Sequence, residues 1–401
     1  MTRHKARQSL SILQVLEPSG GGSGRHFLDL CRGLKERGHR VVAVYSPLRA
    51  EERFVRELSA LDLAGVHAVP MTRAPGPSDF KAWRMLNAVI RDDGPFDAIH
   101  AHSSKAGALT RLRLPGSHIP RVYTPHAFRT MDPTLGRAGR LIFGTIESLL
   151  GRFLSDRIVC VSQDEQAHAK SLGIPARRLA TVVNGVTPPP TGHGSALRER
   201  LGIPHDSLLY GFVGRLSHQK APNRLLDAFD RIAGAHPCAH LLMIGAGELE
   251  SEVRTRIAAS PFDTRIHLEP GIPGTEAMDA FDALVMPSRY EAMSYVMLEA
   301  AAAGKPMILT DVGGAACVLD DGLNGLLVPN TDAPEALAAA MAVFAAPDSL
   351  HAFTREAGRR KHRYALGVMV DGIESIYRTL VPQRSDIRAL TPADTALVEK
   401  A

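Results

Sequence analysis

An alternation, run through twice, of short near-continuous apolar segments with amphipathic ones constrains this chain more than anything else in it. Residues 10–16, 41–45, 98–101, 121–124 and 158–161 read as strands, and a second series occupies 208–213, 240–244, 266–268, 283–286, 306–309 and 325–328. Strands without a polar alternate face belong in parallel sheets covered by helices on both sides. Between the two series the pattern breaks at 184–195, where Pro188, Pro189, Pro190, Gly192 and Gly194 indicate a stiff linker. A length of 401 residues suits two domains, each able to bury its own core. The expected fold class is therefore α/β, with two doubly wound halves and a ligand cleft between them.

Composition narrows the partners. Lys and Arg number 47 against 42 acids, a net +5, which suits anionic partners such as diphosphates without the dense basic patches of a nucleic-acid binder. Cys31, Cys160, Cys238 and Cys317 are scattered, with no CxxC pair, as expected of thiols in a reducing compartment. The first nine residues are polar and basic, the apolar run after them is only a strand long, and no run reaches the ~20 residues of a membrane span. A cytoplasmic protein is expected. Residues 139–154, GRLIFGTIESLLGRFL, with Arg137, Arg140 and Arg152 nearby, could lie on an anionic bilayer or pack their apolar face on the sheet.

Polar groups collect where strands end. After the strand at 283–286, Glu291 falls in a loop, and Glu299 falls about two turns into a helix starting near Ser294. The open N–H groups of that helix start suit a phosphate. In the first half, Pro18 to Gly24 forms a glycine loop before a helix pattern at 25–37 closed by Gly38. It is neither GxGxxG nor a P-loop, and an ordinary turn is the alternative. The stretches HAHSSKAG (100–107) and TPHAF (124–128) put His100, His102, Lys105 and His126 at strand ends. A zinc pair of His100 and His102 is set aside on the expectation that the two rings point to opposite faces of the strand. After the strand at 208–213, Arg215 and Lys220 bracket a loop and could neutralise a diphosphate, Arg as a planar fork and Lys as a point charge.

The segments VGRLSHQK, MIGAGELE and PSRYEAMSYVMLEAAAAGKPMILTDVGG, preceded by Gly20-Gly21-Gly22 and VVNGV, resemble the retaining glycosyltransferases of family 4, over residues from about 10 to about 380. The resemblance implies the GT-B fold, two Rossmann-like domains facing an interdomain cleft. It places an acceptor-binding domain at 1–190, a nucleotide-sugar domain at 191–366, a last helix at about 367–382 crossing back to the first domain, and a tail at 383–401. It also implies that Arg215 and Lys220 bind the donor diphosphate and Glu299 the ribose. Glu291 and the backbone at Met293, Ser294 and Tyr295 would contact sugar and phosphate, Gly21 and Gly22 the phosphate, Gly271 the base, and His126 the sugar near its reacting carbon. Glu291, His126, Arg215 and Lys220 form the expected catalytic set, and His102 and Lys105 the acceptor-binding one. Where relatives often carry Gly-Phe-Gly, this chain has Ala292-Met293-Ser294-Tyr295, so the sugar's identity does not transfer.

The resemblance to members that build lipopolysaccharide or exopolysaccharide implies a glycan or polyprenyl-linked acceptor. No Asp-x-Asp occurs in the chain, so a metal-independent reaction without cofactor is expected, the nucleotide-sugar (UDP-sugar, then GDP-mannose) being a co-substrate. A sugar-nucleotide epimerase and a non-catalytic nucleotide-sugar sensor are the other readings of the same residues. A hydride-transfer enzyme is disfavoured by the missing GxGxxG.

Overall fold

The computed structural model describes residues 8–132, 135–291 and 293–381; Ala292 and the expected tail at 383–401 lie outside them. The chain divides into two compact units. Of the described residues, one holds those through Cys160, Gln166–Val182 and those from Val370 on; the other holds those of Val161–Glu165 and Val183–Met369.

The first unit is built on a seven-stranded parallel sheet: β1 (Ser11–Leu16), β2 (Arg40–Tyr45), β3 (Gly65–Ala68), β4 (Ala98–His102), β5 (Arg121–Thr124), β6 (Arg157–Cys160) and β7 (Leu179–Thr181), in the order β3-β2-β1-β4-β5-β6-β7. The second has six parallel strands: β8 (Leu208–Val213), β9 (Ala239–Ile244), β10 (Ile266–Glu269), β11 (Ala283–Met286), β12 (Met307–Thr310) and β13 (Gly325–Val328), in the order β10-β9-β8-β11-β12-β13. Each sheet reverses winding once, between β1 and β4 and between β8 and β11, so each has a switch point where the loops at its carboxyl edge diverge.

The eleven strands expected from apolar runs are all present. Two more, β3 and β7, escape sequence reading because each is a short edge strand; β3, GVHA, has no fully buried residue. Interior strands must be apolar on both faces, as in β9, where all six residues are buried. In the first unit Leu13, Val15, Val42, Val44 and Ile99 meet Ala82, Leu86 and Leu109 from the covering helices. In the second unit two apolar clusters form, one holding Leu209, Leu242, Leu284 and Met297, the other Tyr210, Met243, Val285 and Phe229.

Six helices position the polar groups of the two sheets: α1 (Gly21–Glu36), α2 (Ser104–Arg111), α3 (Arg137–Leu149), α4 (Pro222–Ala233), α5 (Tyr295–Ala302) and α6 (Leu366–Leu380). Helix α1 starts four residues earlier than its pattern suggests, because the glycine run is its first turn rather than a loop before it. The proline-rich stretch is held firmly: the backbone N–H groups of Gly192, His193 and Gly194 all donate to Asp279 Oδ2, at 2.8, 3.0 and 2.9 Å. Among the described residues no single helix is long and apolar enough to cross a membrane.

Close packing on β8 leaves no room for a side chain at Gly211, where an added Cβ would lie 2.2 Å from the Phe281 ring. Gly211→Ala is expected to lower stability by about 1–3 kcal/mol through overpacking; an unchanged urea midpoint would contradict the packing of Phe281 over β8.

Candidate active site

The second unit gathers its polar groups at the switch point between β8 and β11. After β8 the chain runs over the turn at the end of β9. Leu216 N donates to Ala246 O (3.0 Å), Leu249 N to Leu216 O (2.9 Å) and Gly214 N to Ile244 O (3.0 Å). Only glycine permits that approach: a Cβ at Gly245, whose φ is +140°, would lie 2.0 Å from Gly214 O, and one at Gly247 would lie 2.4 Å from Leu216 O. The partial glycine pattern GAG is therefore a backbone contact that shapes the loop carrying Arg215 and Lys220. Arg215 is exposed, its stem passing Gly247.

The loop after β11 is tied to the same segment. Arg289 N donates to Gln219 O (2.8 Å), Arg289 Nε to His218 O (3.1 Å) and Gln219 Nε2 to Tyr290 O (3.0 Å). Beneath it, the buried Arg224 guanidinium of α4 donates to Pro287 O (3.2 Å), Asn330 Oδ1 (2.8 Å) and Asp332 Oδ1 (2.8 Å). Ala221, just before α4, is held at φ +48°, a conformation costly for a residue with a Cβ, tolerated where the surroundings enforce it.

These ties bring Lys220 and Glu291 together: Nζ and Oε1 are 2.5 Å apart, and both side chains are largely buried. Sequence reading assigns the two residues separate duties; the structure joins them in one ion pair. The carboxylate holds the ammonium in place and uses one of its three protons, leaving two N–H donors.

Ser294 is the N-cap of α5, Tyr295 its first residue, and Met293 precedes them, so a helix N-terminus with its partial positive charge stands beside the pair. Glu299 is buried and lies one turn beyond Tyr295, not two. Gly271 is exposed in the turn after β10, and the chain beyond it packs close to β8 at Gly274, where a Cβ would lie 2.4 Å from Val213.

In the first unit the glycine helix start already holds an anion, because Gly21 N donates to Glu51 Oε1 (3.0 Å). The Glu51 carboxylate leaves no room for a Cβ at Gly20, which would be 2.5 Å from it. The seat expected for a phosphate at Gly21 is thus filled by an internal carboxylate, and Gly22 comes next in the exposed first turn.

Beside it lies a buried chain of hydrogen bonds. Gln14 Nε2 donates to the Tyr377 hydroxyl (3.0 Å), which donates to His100 Nδ1 (2.6 Å); His100 Nε2 lies 2.8 Å from Thr124 Oγ1. On the other side His102 Nε2 lies 2.8 Å from Gln14 Oε1, and His102 Nδ1 lies 3.1 Å from His126 Nε2. Burial first, then neighbouring imidazoles, holds His100, His102 and His126 neutral, well below the usual histidine range. A neutral ring has one donor and one acceptor. Because Gln14 Oε1 accepts from His102 Nε2, His102 Nδ1 accepts from His126, so His126 carries its proton on Nε2. His126 and Ala127 sit at φ +53° and +76°.

The histidines overturn two expectations. Residues two apart on a strand share a face, and the His100 and His102 rings are 4.2 Å apart. His26, His102 and His126 also form a cluster whose ligand atoms lie within 4.8 Å of one another. Its His102 and His126 nitrogens are hydrogen-bonded to each other, which accounts for their closeness without an ion. Nor is His102 presented to a substrate, being fully buried with both nitrogens engaged. Lys105 directs its ammonium to both oxygens of Asp79 (2.7 Å each) and to Ala74 O (3.0 Å).

Sequence reading misses Gln14, Tyr377, Glu51 and Arg224. A glutamine inside an apolar strand is the one available signal; the Gln14 to Tyr377 contact spans 363 positions and leaves no local trace.

The Glycosyltransferase Family 4 model matches residues 20–188, and the Glycosyl transferases group 1 model matches 195–361. The chain is 26% identical to the Escherichia coli UDP-Gal:alpha-D-GlcNAc-diphosphoundecaprenol alpha-1,3-galactosyltransferase, covering 63% of this chain and 67% of that one. It is 27% identical to the phosphatidyl-myo-inositol mannosyltransferase of Mycolicibacterium smegmatis, over 90% of each. Among solved structures it is similar to Anabaena Alr3699/HepE in complex with UDP, with a TM-score of 0.76 and 18% identity, over 92% of this chain and 100% of that one.

The buried network has two measurable consequences. Neutral buried histidines stabilise the fold fully above the unfolded histidine pKa near 6.5, and that stability is lost as pH falls below it, because the unfolded chain then binds more protons. Each such ring is expected to remove about 1.4 kcal/mol per pH unit there, so the urea midpoint should drop between pH 7.5 and 5.5; equal midpoints would contradict a neutral cluster. Tyr377→Phe leaves buried groups of Gln14 and His100 unsatisfied and is expected to cost about 1–3 kcal/mol. Nitrogen-15 NMR of the wild type should show His126 as a single Nε2–H tautomer; an Nδ1–H tautomer would break the assigned direction of the chain.

Proposed function

The chain belongs to the family 4 glycosyltransferases, with two Rossmann-like halves of the GT-B fold, and from that premise we propose that it moves a sugar, with retention of configuration and without a metal, from a UDP-sugar to a lipid-linked or glycan acceptor in cell-surface polysaccharide synthesis. The observation that carries this reading is the convergence of Lys220, Glu291, exposed Arg215 and the α5 N-terminus at one switch point. UDP is favoured over GDP-mannose because the Escherichia coli relative is named for UDP-Gal, and its diphosphoundecaprenol acceptor favours a lipid-linked one here.

Departure of the nucleoside diphosphate concentrates negative charge on the β-phosphate while the sugar carbon becomes cation-like. Two remaining N–H donors of Lys220, the guanidinium fork of Arg215 and the N–H groups around Ser294 and Tyr295 stabilise that leaving charge, the kind of preorganised electrostatic stabilisation that is often the largest contribution to catalysis. Glu299 takes the ribose and Gly271 the base. Glu291, committed to Lys220, acts as a positioning carboxylate beside the sugar rather than as a covalent nucleophile. An acceptor hydroxyl attacking from the leaving group's own face gives retention, the departing phosphate oxygen accepting its proton. His126 contacts the sugar through its carbonyl or ring. The cations take the place of a metal, in keeping with the lack of Asp-x-Asp.

Cytoplasmic work at the inner membrane face suits α3, whose Leu141, Ile142, Ile146 and Leu149 are exposed beside Arg137 and Arg140.

Lys220→Ala is expected to lower turnover of a UDP-sugar by on the order of a hundredfold, and EDTA is expected to leave the wild-type rate unchanged. A variant with wild-type turnover would remove Lys220 from the diphosphate, and a rate abolished by EDTA would overturn metal independence.

A further inference from the structure

On the first unit, a cavity of about 380 Å³ opens where the loops after β1, β2, β3 and β4 meet. Its place is the carboxyl edge of the sheet at the β1/β4 switch point, where doubly wound sheets take ligands. Four cations from four separate segments line it: Arg49, Arg73, Lys105 and Arg129. Three have acid partners, Arg49 with Glu17, Lys105 with Asp79 and Arg129 with Asp132. Arg73 is exposed and makes no ion pair among the described residues. The lining thus keeps a positive excess even with its acids in place, and Arg73 offers a planar fork matched to phosphate oxygens. Ser103 and Ser104 add hydroxyl donors to the same lining, but a neutral glycan would leave the charge of Arg73 unmatched.

The same cavity is bordered by Phe143 of α3. Beyond it, α3 and the π-helical turn that continues it expose Leu141, Ile142, Leu149 and Phe153, the first and last of them 72% and 70% exposed. Scattered apolar residues need no explanation, but several along one helix beside a cationic cavity do. A phosphate and a hydrocarbon chain on one ligand would satisfy both surfaces.

We infer that this cavity seats the phosphate or diphosphate of a prenyl-linked acceptor, whose chain lies along α3. The inference rests on the lipid-linked acceptor of the proposed function and adds the group by which that acceptor is held.

Calorimetric titration of the full chain with farnesyl diphosphate, farnesol and inorganic diphosphate tests it, using wild type, Arg73→Ala and Lys220→Ala. Because Arg73 is exposed, its loss does not threaten folding. Farnesyl diphosphate is expected to bind wild type and Lys220→Ala alike and to lose at least tenfold in affinity with Arg73→Ala. Farnesol and inorganic diphosphate should each bind at least tenfold more weakly than farnesyl diphosphate. The opposite pattern, loss with Lys220→Ala and none with Arg73→Ala, would assign the anion to the second unit and overturn the inference, as would no binding at all. Farnesol binding as tightly as its diphosphate would remove the phosphate seat, and inorganic diphosphate binding as tightly would remove the α3 contact. None of these outcomes bears on sugar transfer itself, which the turnover of Lys220→Ala reads separately.

Discussion

Backbone contact between the loop after β8 and the turn after β9 is the constraint on which the Lys220–Glu291 site depends. Gly245 lies against Gly214 O, and Gly247 against Leu216 O, at distances no side chain could share. That contact fixes the loop, the loop holds Gln219 and His218 for the segment after β11, and the segment delivers Glu291 to Lys220. A buried charge is costly unless it is paired and hydrogen-bonded. The pair is therefore best understood as a device for holding one ammonium in place with donors to spare, not as a source of stability.

The first unit achieves rigidity by a different route. Its sheet is crossed by a buried polar chain from Thr124 through His100, Tyr377 and Gln14 to His102 and His126. Each member satisfies the next, which offsets the desolvation of all of them, and a fully satisfied network of this kind specifies one arrangement. It also joins the C-terminal helix to the loop bearing His126, so the sheet and its last helix share one set of protons.

Most of the fold is legible in the sequence because interior parallel strands must be apolar on both faces, and β8, β9 and β11 advertise that. The edge strands β3 and β7 lack the requirement and the signal. Helix α1 reads four residues late because glycine is a poor helix former, although the first turn tolerates it. At the site, Arg215, Lys220, Glu291 and the α5 start are legible from their position after strands. Their pairing is not, since Lys220 and Glu291 meet across 71 positions. The histidines are misjudged by a pleat rule applied to residues two apart, and the ion pair of Lys105 leaves no local trace because Asp79 lies 26 positions upstream.

If the loops after β8 and β11 form a seat for a nucleoside diphosphate, the folded chain must gain stability from one. The melting temperature of the full chain with UDP, GDP, ADP and TDP tests that most directly, because a ligand that binds only the folded state raises that temperature by mass action. A rise with UDP that exceeds the rise with the other three is expected. No shift with any of the four would contradict the seat.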